Sequence, residues 1–317
     1  MPAQRALITG VGGQDGTYLA EALLADGVEV HAIDTAPTPI PHLPDDVTVH
    51  ALDLRDVDAV RTLVLELAPA QLYNLAAISS VARSWDQPDL TSAVNGTAAV
   101  ALMESAWRCQ EKHGDPVSFV QASSAEIFGV TTTTPQSEST ALAPVNPYGA
   151  AKAYGHLMAR VYRGRGLATS SLILYNHESP RRPTGFVTRK ITSTVAAIRQ
   201  GRAESLVLGN LDARRDWGWA PDYVEAMRAA ARTETPGDFV VATGVSHSVA
   251  DFVAAAFRHA GIDDWAAFVR TDPEFVRPAD AHELVGDATL ARDVLGWRPT
   301  VGFDDLVRRM VEHDLAQ

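Results

Sequence analysis

The sequence of 317 residues is long enough to bury a full hydrophobic core, and its 46% apolar and 21% charged residues are typical of a folded globular protein. Its formal net charge of −12 argues against nucleic acid as a partner, because binding a phosphate backbone requires a basic surface. A single cysteine, Cys109, excludes an intrachain disulfide, and the absence of a long apolar run predicts a cytoplasmic protein without a membrane partner.

The first half of the chain alternates short β-rich runs with amphipathic segments of helical length, as in a parallel sheet covered by helices. Strands are predicted, in chain order, at 5–9, 29–33, 47–51, 71–75, 118–122, 169–174 and 238–243. Helices are predicted at 16–25, 57–67, 91–111 and 148–163. We therefore predict an α/β fold: a Rossmann-type doubly wound parallel sheet over residues 1–175, joined by the strand at 238–243, and a smaller C-terminal substrate-binding lobe over 176–317.

A glycine-rich turn lies between the first predicted strand and the first predicted helix. Gly10, Gly13 and Gly16 follow a GxxGxxG spacing, and Gln14 and Asp15 lie between the last two glycines. Glycines let the backbone turn tightly and approach a pyrophosphate, which then faces the positive end of the helix. The spacing alone also occurs by chance, but the strand before it and the helix after it predict a dinucleotide site.

Asp34 ends the second predicted strand, 18 residues after Gly16, where a carboxylate typically binds the ribose hydroxyls of a dinucleotide. No arginine follows within residues 35–43 to bind a 2′-phosphate, so the sequence favours NAD over NADP. The alternative for Asp34 is a loop aspartate that caps a turn. Asp53 and Leu54, after the third predicted strand, are predicted to contact the adenine, and a helix N-cap is the alternative for Asp53.

Tyr148 and Lys152 are four residues apart, which places a phenol and an ammonium on one face of a predicted helix. A nearby positive charge lowers the pKa of a phenol, so Tyr148 is predicted to act as a base toward a substrate hydroxyl. Ser124 follows a predicted strand, at the edge where active sites of open parallel sheets lie. The pair alone occurs by chance, but the glycine turn and Ser124 beside it make a specific combination.

Segments along nearly the whole chain resemble GDP-mannose 4,6-dehydratases, a family of extended short-chain dehydrogenases. The matching segments, in chain order, are ALITG with GQDG, YNLAA, NHESPRR, FVTRKI, LGNLDA with RDWG, DYVEAM, ATG with HSV, RP and GD. NHESPRR at 176–182 and RDWG at 215–218 are highly specific. The resemblance implies a lyase that dehydrates a nucleotide-linked hexose with a nicotinamide cofactor, where NADP is the family-based alternative to NAD.

The resemblance further implies that hydride leaves sugar C4 and returns at C6, with water lost across C5 and C6 in between. Tyr148 would take the C4 hydroxyl proton, Lys152 would orient the nicotinamide ribose and tune Tyr148, and Ser124 would bind the C4 oxygen. Glu126 would remove the C5 proton, and the alternative is a solvated carboxylate at a strand end. The implied cofactor contacts are Ala76, Ala77, His177 and Arg182. The implied substrate contacts are Ser79, Asn176, Val187, Lys190, Arg215 and Arg277.

Several implied contacts have plainer alternatives. His177 also fits a packed core histidine, and each arginine also fits a surface salt bridge, although Arg215 and Arg277 suit the phosphates of a nucleotide sugar. No cluster of residues has the spacing of metal ligands, so no metal is predicted. The shared segments favour a GDP-hexose as the substrate.

The sequence departs from the family's pattern around the predicted sugar pocket. Ala125 stands where the family usually has a serine that is thought to protonate the leaving hydroxyl, so another group or water must do so. The other departures are Ile78 for glutamine, Ser80 for histidine, Val145 for arginine and Asn146 for serine. They leave the identity of the hexose open. In the family, the loop after the position of Asp34 contributes to tetramer assembly, and it is short here. A homodimer is therefore predicted as an alternative that ranks at least equally with the family's tetramer.

Three other functions stay open on the sequence. A nucleotide-sugar 4-epimerase or 4-reductase would use Ser124, Tyr148 and Lys152 but would not need Glu126, and a dehydratase acting on a different nucleotide hexose is equally consistent. A cofactor-binding regulator without turnover would have lost Tyr148, Lys152 or Glu126, and the chain retains all three.

Overall fold

A computed structural model describes residues 4–35, 39–272 and 283–317 of the chain. The strands, in chain order, are β1 (Arg5–Thr9), β2 (Glu29–Asp34), β3 (Thr48–Ala51), β4 (Gln71–Asn74), β5 (Ser118–Ala122), β6 (Ala168–Leu174), β7 (Asn176–Glu178), β8 (Leu206–Leu208), β9 (Arg214–Trp219), β10 (Asp238–Val241), β11 (Ser246–Ser248), β12 (Val269–Thr271) and β13 (Glu283–Leu284). The α-helices are α1 (Gln14–Ala25), α2 (Val57–Leu67), α3 (Val81–Asp86), α4 (Pro88–Ser92), α5 (Ala98–His113), α6 (Pro147–Gly164), α7 (Val187–Arg199), α8 (Ala220–Arg232), α9 (Val249–His259), α10 (Thr289–Leu295) and α11 (Phe303–Leu315).

Seven parallel strands form the main sheet, in the order β10, β6, β5, β4, β1, β2, β3. The direction of winding reverses between β1 and β4, so the chain extends the sheet first to one side and then to the other. The predicted α/β fold with a Rossmann-type doubly wound parallel sheet is confirmed. In such a sheet, ligands bind beyond the carboxyl ends of the strands at the reversal.

Helices cover both faces of this sheet. On one face, α2, α5 and α6 pack over a core that includes Val64, Leu102 and Ala159. On the other face, α1 packs beside α8, and their core includes Leu19 and Met227. Both α8 and β10 come from the chain after residue 175. The main sheet and its helices are therefore built from residues on both sides of that position. The division into lobes at residue 175 stays a prediction.

The other strands form smaller sheets beside the main one. β9 pairs with β7, β11 and β13, and β8 pairs with β12. Helices α7, α9 and α11 pack on them around a separate core that includes Val195, Trp217, Phe252 and Met310. Because β7 follows β6 directly along the chain, this second core adjoins the carboxyl edge of the main sheet.

The helix predicted at 91–111 differs from the structure in its start and in its winding. It begins at Pro88, where proline suits the first helical position because the missing N–H has no partner there, and it ends at His113. A π-helical turn, Ala93–Thr97, separates α4 from α5, and in it the N–H of Ala98 bonds to the carbonyl of Ala93, five residues back. Hydrophobic periodicity does not reveal a single wide turn of this kind.

Cys109 is buried in the core beneath α5, and burial raises the pKa of its thiol, in keeping with the expected packing role. No α-helix among the residues that the structure describes is both long and apolar enough to cross a membrane. The cytoplasmic location stays a prediction.

Candidate active site

A cavity of about 710 Å³ opens between the carboxyl edge of the main sheet and the second core. Many of the predicted site residues line it: Asp15, Ala77, Ser79, Ser124, Glu126, Tyr148, Lys152, Asn176, His177, Arg182, Val187 and Arg215. Other predicted residues lie outside its lining: Gly10, Gly13, Gln14, Gly16, Asp34, Asp53, Leu54, Ala76 and Lys190. The predicted contact Arg277 lies outside the described residues. The cavity therefore joins the predicted catalytic residues to most of the predicted substrate contacts.

The glycine turn connects β1 to α1 with a backbone that side chains would obstruct. Gly10 has a φ of +71°, and a Cβ there would lie 2.7 Å from Cα of Ala76. A Cβ on Gly16 would lie 2.6 Å from the carbonyl oxygen of Gly10. Helix α1 begins after Gly13, and this N-cap residue makes no side-chain hydrogen bond to the first N–H groups of the helix, which are the groups that bind an anion at a helix start. This geometry fits the pyrophosphate of a dinucleotide.

The acidic residues beyond the turn have different partners. One carboxylate oxygen of Asp34 accepts the N–H of Gly12 at 2.9 Å, which holds Asp34 beside the glycine turn. Asp53 pairs with Arg55, with 2.5 Å between Oδ2 and Nη2, and this hydrogen bond lowers the pKa of Asp53. The alternative of a helix N-cap at Asp53 is wrong, because Asp56 caps α2. Leu54 is buried in the core under α2.

His177 and Asp15 form an ion pair between β7 and the start of α1. The His177 Nε2 lies 2.8 Å from Asp15 Oδ2, and Nδ1 donates to the Tyr175 carbonyl at 2.7 Å. Burial alone would lower the pKa of His177, but the Asp15 charge outweighs it and raises the pKa above 6.5. For Asp15, burial is likewise outweighed by His177, so its pKa is lowered. The ring also stacks on Tyr223. His177 therefore lines the cavity with its ring held on one face by Tyr223 and with both ring nitrogens bonded to protein atoms.

Tyr148 and Lys152 lie on the first two turns of α6, facing the end of β5. The Lys152 ammonium donates to the carbonyl of Ala122 at 2.8 Å and lies 5.9 Å from the centre of the Tyr148 ring. Burial lowers the pKa of Lys152 to about 8. Burial also raises the pKa of Tyr148 to about 12, partly offset by a hydrogen bond with Ser124.

The expected lowering of the phenol pKa is therefore wrong for this structure. Removing water from the phenolate outweighs the Ser124 hydrogen bond and the charge of Arg182, which lower the pKa of Tyr148, and the charge of Glu126 raises that pKa further. Tyr148 thus holds its proton at neutral pH until a reaction step requires it. The four-residue spacing predicts that the two groups are neighbours, but not how deeply they are buried.

Ser124 and Glu126 lie in a short 3-10 turn, Ala125–Ile127, that follows β5. The Ser124 hydroxyl accepts the N–H of Glu126 at 3.3 Å, and Ser124 is 9% exposed. One carboxylate oxygen of Glu126 accepts a hydrogen bond from the side-chain amide of Asn146 at 2.8 Å. Glu126 and Tyr148 both line the cavity, and Asn146 at the start of α6 links the Glu126 carboxylate to the helix that carries Tyr148.

Apart from Ser79, which follows β4 of the main sheet, the predicted substrate contacts that the structure describes lie on β7, α7 and β9, beside the second core. Arg215 is 7% exposed, lines the cavity, and donates from Nη1 to the carbonyl of Arg214 at 2.7 Å. Arg182 packs over the ring of Phe186 at 3.8 Å and lies 3.4 Å from Glu178. Arg182, a predicted cofactor contact, is not part of a surface salt bridge, because its partner Glu178 is buried.

The departures from the family's pattern have structural places of their own. Ala125 is buried in the cavity wall and carries no hydroxyl. Ser80 also lines the cavity, and its hydroxyl caps α3 by accepting the N–H of Arg83 at 3.2 Å. The backbone of Ile78 is bound on both sides by Asn95 of the π-helical turn: its N–H donates to Oδ1 at 2.8 Å, and its carbonyl accepts from Nδ2 at 3.1 Å.

The sequence interpretation missed two buried polar residues that hold the site. Asn95 fixes the loop after β4, and its only sequence signal is a polar residue on an otherwise apolar helix face. Asp216 accepts from the N–H groups of Thr243 and Gly244, both at 2.8 Å, and its place beside Arg215 was the available signal. Burial raises the pKa of Asp216 despite these bonds. Within 4–35, 39–272 and 283–317, no cluster of three His, Cys, Asp or Glu residues could hold a metal ion.

Comparisons with known proteins agree with this geometry. A family model described as GDP-mannose 4,6 dehydratase matches residues 7–310. GDP-mannose 4,6 dehydratase 2 of Arabidopsis thaliana is 43% identical over 328 residues, which cover 99% of this chain and 87% of that protein. GDP-mannose 4,6 dehydratase of Homo sapiens is 40% identical over 344 residues, which cover 99% and 92%. The solved UDP-glucose 4-epimerase of Thermus thermophilus, in complex with NAD, has a TM-score of 0.83 at 28% identity and covers 98% of this chain and 99% of its own.

Proposed function

The chain belongs to the GDP-mannose 4,6-dehydratase family, and we propose that it converts GDP-mannose into GDP-4-keto-6-deoxymannose. It is a nucleotide-sugar 4,6-dehydratase, a lyase. The observation that supports the specific reaction is that Glu126 lines the same cavity as Tyr148 and Lys152. An epimerase or a reductase needs the last two residues, whereas the loss of water also needs a base for the C5 proton.

The cofactor of this proposal is NAD. When bound, it supplies the acceptor for the C4 hydride and the donor that returns hydride to C6. Gly10 and Gly16 admit the pyrophosphate, and Asp34 lies where a carboxylate binds the ribose hydroxyls and repels a 2′-phosphate. The similar Thermus thermophilus epimerase was solved with NAD. Binding of NAD and NADP to the purified protein tests this choice, and tighter binding of NADP would overturn it.

Tyr148 takes the proton of the C4 hydroxyl as the C4–H bond is broken. Because burial raises the pKa of Tyr148 to about 12, the phenol has to release its own proton to solvent water before it can act as this base, and the nearby Lys152 ammonium favours the resulting phenolate. The Ser124 hydroxyl, which shares a hydrogen bond with Tyr148, holds the C4 oxygen in line with the phenol. Lys152 is itself fixed by the carbonyl of Ala122.

Glu126 removes the C5 proton once C4 is a ketone, because the carbonyl acidifies the neighbouring C–H bond. The hydroxide at C6 leaves with a proton from another group or from water, since Ala125 has no hydroxyl to supply it. The Tyr148 phenol donates a hydrogen bond to the C4 ketone through this step. As hydride returns to C6, the protonated Glu126 carboxyl, after exchange with solvent, returns a proton to C5. The net change is the loss of one water molecule.

The nucleotide is proposed to bind along the second core. Arg215, with its guanidinium anchored on the Arg214 carbonyl, would read phosphate oxygens in pairs. Asn176 and Val187 line the same cavity, and Lys190 follows on α7 one turn further along. These residues lie in segments that resemble the GDP-mannose 4,6-dehydratase family, and this resemblance favours GDP as the nucleotide of the substrate.

The decisive test incubates the protein with GDP-mannose and catalytic NAD in deuterated water. A product lighter by one water molecule, with deuterium at C5, supports the dehydratase and the role of Glu126. A C4 epimer or a sugar oxidised at C4, with no loss of water and no deuterium at C5, would favour an epimerase or redox reaction instead. An unchanged sugar would refute GDP-mannose as substrate, and the same assay on other nucleotide hexoses then finds the correct one.

We propose that the enzyme is a homodimer that buries the outer face of α6. On that face Tyr154, Leu157 and Val161 follow one another at helical spacing and are 47%, 46% and 58% exposed. Sedimentation analysis of the parent and of Leu157→Glu tests this proposal. A dimer that the charge disrupts supports it, and a tetramer or an unaffected dimer contradicts it.

A further inference from the structure

Asn146 stands at the start of α6 and uses both ends of its side-chain amide. Its Oδ1 accepts the N–H of Gly149 at 2.7 Å, which caps the helix. Its Nδ2 donates to Oε2 of Glu126 at 2.8 Å. The side chain is 5% exposed, so solvent hardly competes for either bond.

The orientation of this amide is fixed by its neighbours. A backbone N–H can only donate, so the end of the amide that faces Gly149 has to be the oxygen. The nitrogen then has to face Glu126, whose carboxylate can accept. Exchanging the two ends would place two donors against each other at Gly149 and two acceptors against each other at Glu126.

The same helix start also presses against the backbone of Glu126. A Cβ on Gly149 would lie 2.5 Å from the Glu126 carbonyl oxygen, so glycine is required for this approach. The Glu126 N–H is bound by Ser124. In the part of the chain that the structure describes, Asn146 makes the only hydrogen bond to the Glu126 carboxylate. The backbone is thus fixed from two sides, while the carboxylate depends on Asn146.

We propose that Asn146 is a positioning residue that aims the Glu126 carboxylate at the C5 proton. Through it, the group for the C5 step is tied to the helix that carries Tyr148 and Lys152, the groups for the C4 step. This inference rests on the proposed dehydratase function. It adds to that function a residue that touches neither substrate nor cofactor and that acts on one step of the reaction.

The matched variant is Asn146→Ser. Serine caps a helix about as well as asparagine, but its single hydroxyl cannot also reach Glu126 from the same position. The thermal midpoint should therefore stay near that of the parent. Asn146→Ala removes the cap as well, so the difference between the alanine and serine variants shows what loss of the cap does to stability. The Glu126→Gln variant provides the background in which the proposed contact no longer matters.

The two steps can be timed separately with GDP-mannose and NAD in a single turnover. The appearance of reduced nicotinamide follows the loss of hydride from C4, and mass spectrometry in deuterated water follows the exchange at C5. For Asn146→Ser we expect C5 exchange to slow about ten- to a hundredfold, the range for a lost hydrogen bond to a charged group, with the C4 step within about twofold. In the Glu126→Gln background the same substitution should have no further effect on C5 exchange.

Equal slowing of both steps, or further slowing in the Glu126→Gln background, would overturn the proposal and make Asn146 a structural cap only. Crystal structures of the parent and of Asn146→Ser provide a readout that does not depend on turnover. Movement of the Glu126 carboxylate away from its parent position supports the proposal, and an unchanged carboxylate refutes it. If the parent dehydrates no nucleotide hexose, the proposed function fails while the crystal structures still decide the positioning role.

Discussion

Replacing Asp15 by asparagine isolates the ion pair that joins α1 to β7. Asparagine keeps the shape and one acceptor, but it leaves the His177 imidazolium without its counter-charge. The Asp15 and His177 side chains are 20% and 10% exposed, so water screens the pair only in part. Breaking a fully buried pair costs about 3–5 kcal/mol, and with the remaining exposure and the retained hydrogen bond we expect a loss of about 1–3 kcal/mol in the free energy of unfolding near pH 6.

The loss should depend on pH in a defined direction. The pKa of His177 is raised above 6.5, so its contribution is complete below pH 6.5 and disappears as the pH rises through the folded-state value. The pKa of Asp15 is lowered below 3.8, so its contribution is complete above pH 3.8 and disappears as the pH falls through the folded-state value. The difference between parent and Asp15→Asn should be largest between these limits and shrink in alkaline solution.

Urea unfolding of both proteins at a series of pH values measures this difference. Asp58→Asn is the matched control, because Asp58 is 93% exposed and pairs with Arg61 on the surface of α2. Such exposed pairs contribute about 0–1 kcal/mol, so the control should change little at any pH. A difference for Asp15→Asn that is independent of pH, or that grows in alkaline solution, would refute the reasoning.

Three further predictions concern activity. Glu126→Gln should slow C5 exchange about 10²–10⁴-fold while reduced nicotinamide still forms, and a parallel loss of both signals in the single-turnover assay would count against its role as the C5 base. Gly16→Ala should weaken NAD binding at least about tenfold in a calorimetric titration, because its Cβ would lie 2.6 Å from the carbonyl oxygen of Gly10, whereas Gly164→Ala, which meets no atom within 4 Å, should bind normally. Because the pKa of Tyr148 is raised to about 12 and that of Lys152 is lowered to about 8, kcat/KM should rise with pH up to about 8 and then level off, since the gain in phenolate is offset by the loss of ammonium; a profile that keeps rising above pH 8 would be inconsistent with a role for the Lys152 charge.

Local sequence signals account for most of the main sheet. Apart from the edge strand β3, its strands are short and largely buried runs, so pattern alone locates them to within a few residues. The winding of the helix before β5 escaped prediction, because a π-helical turn at Ala93–Thr97 keeps the same residue types on nearly the same faces. The start of α4 at Pro88 has a local signal, because proline is common at the first helical position. The predicted start at residue 91 followed the hydrophobic periodicity instead.

In the candidate site, contacts between residues of one helix could be predicted from the sequence, whereas contacts between distant elements could not. The pairs that follow from spacing along one element, such as Tyr148 with Lys152, could be predicted. The contact of Asp15 with His177 joins residues 162 positions apart and depends on how α1 meets β7, which no local pattern specifies. The same holds for Asn146 with Glu126, and for the burial that raises the pKa of Tyr148 to about 12.

The π-helical turn before α5 makes the length of this helix a determinant of the site. A turn closed by a bond five residues back contains one residue more than an α-helical turn, so it behaves as a single-residue insertion within a continuous helix. Deleting one residue within Ala93–Thr97 would restore regular winding and leave the packing of α5 intact. It would also rotate Asn95 away from Ile78, and the loop after β4 would lose the side chain that binds its backbone on both sides. In this enzyme a change of one residue in length, without any change of side-chain type, would therefore release the loop whose residues Ala77 and Ser79 line the cavity.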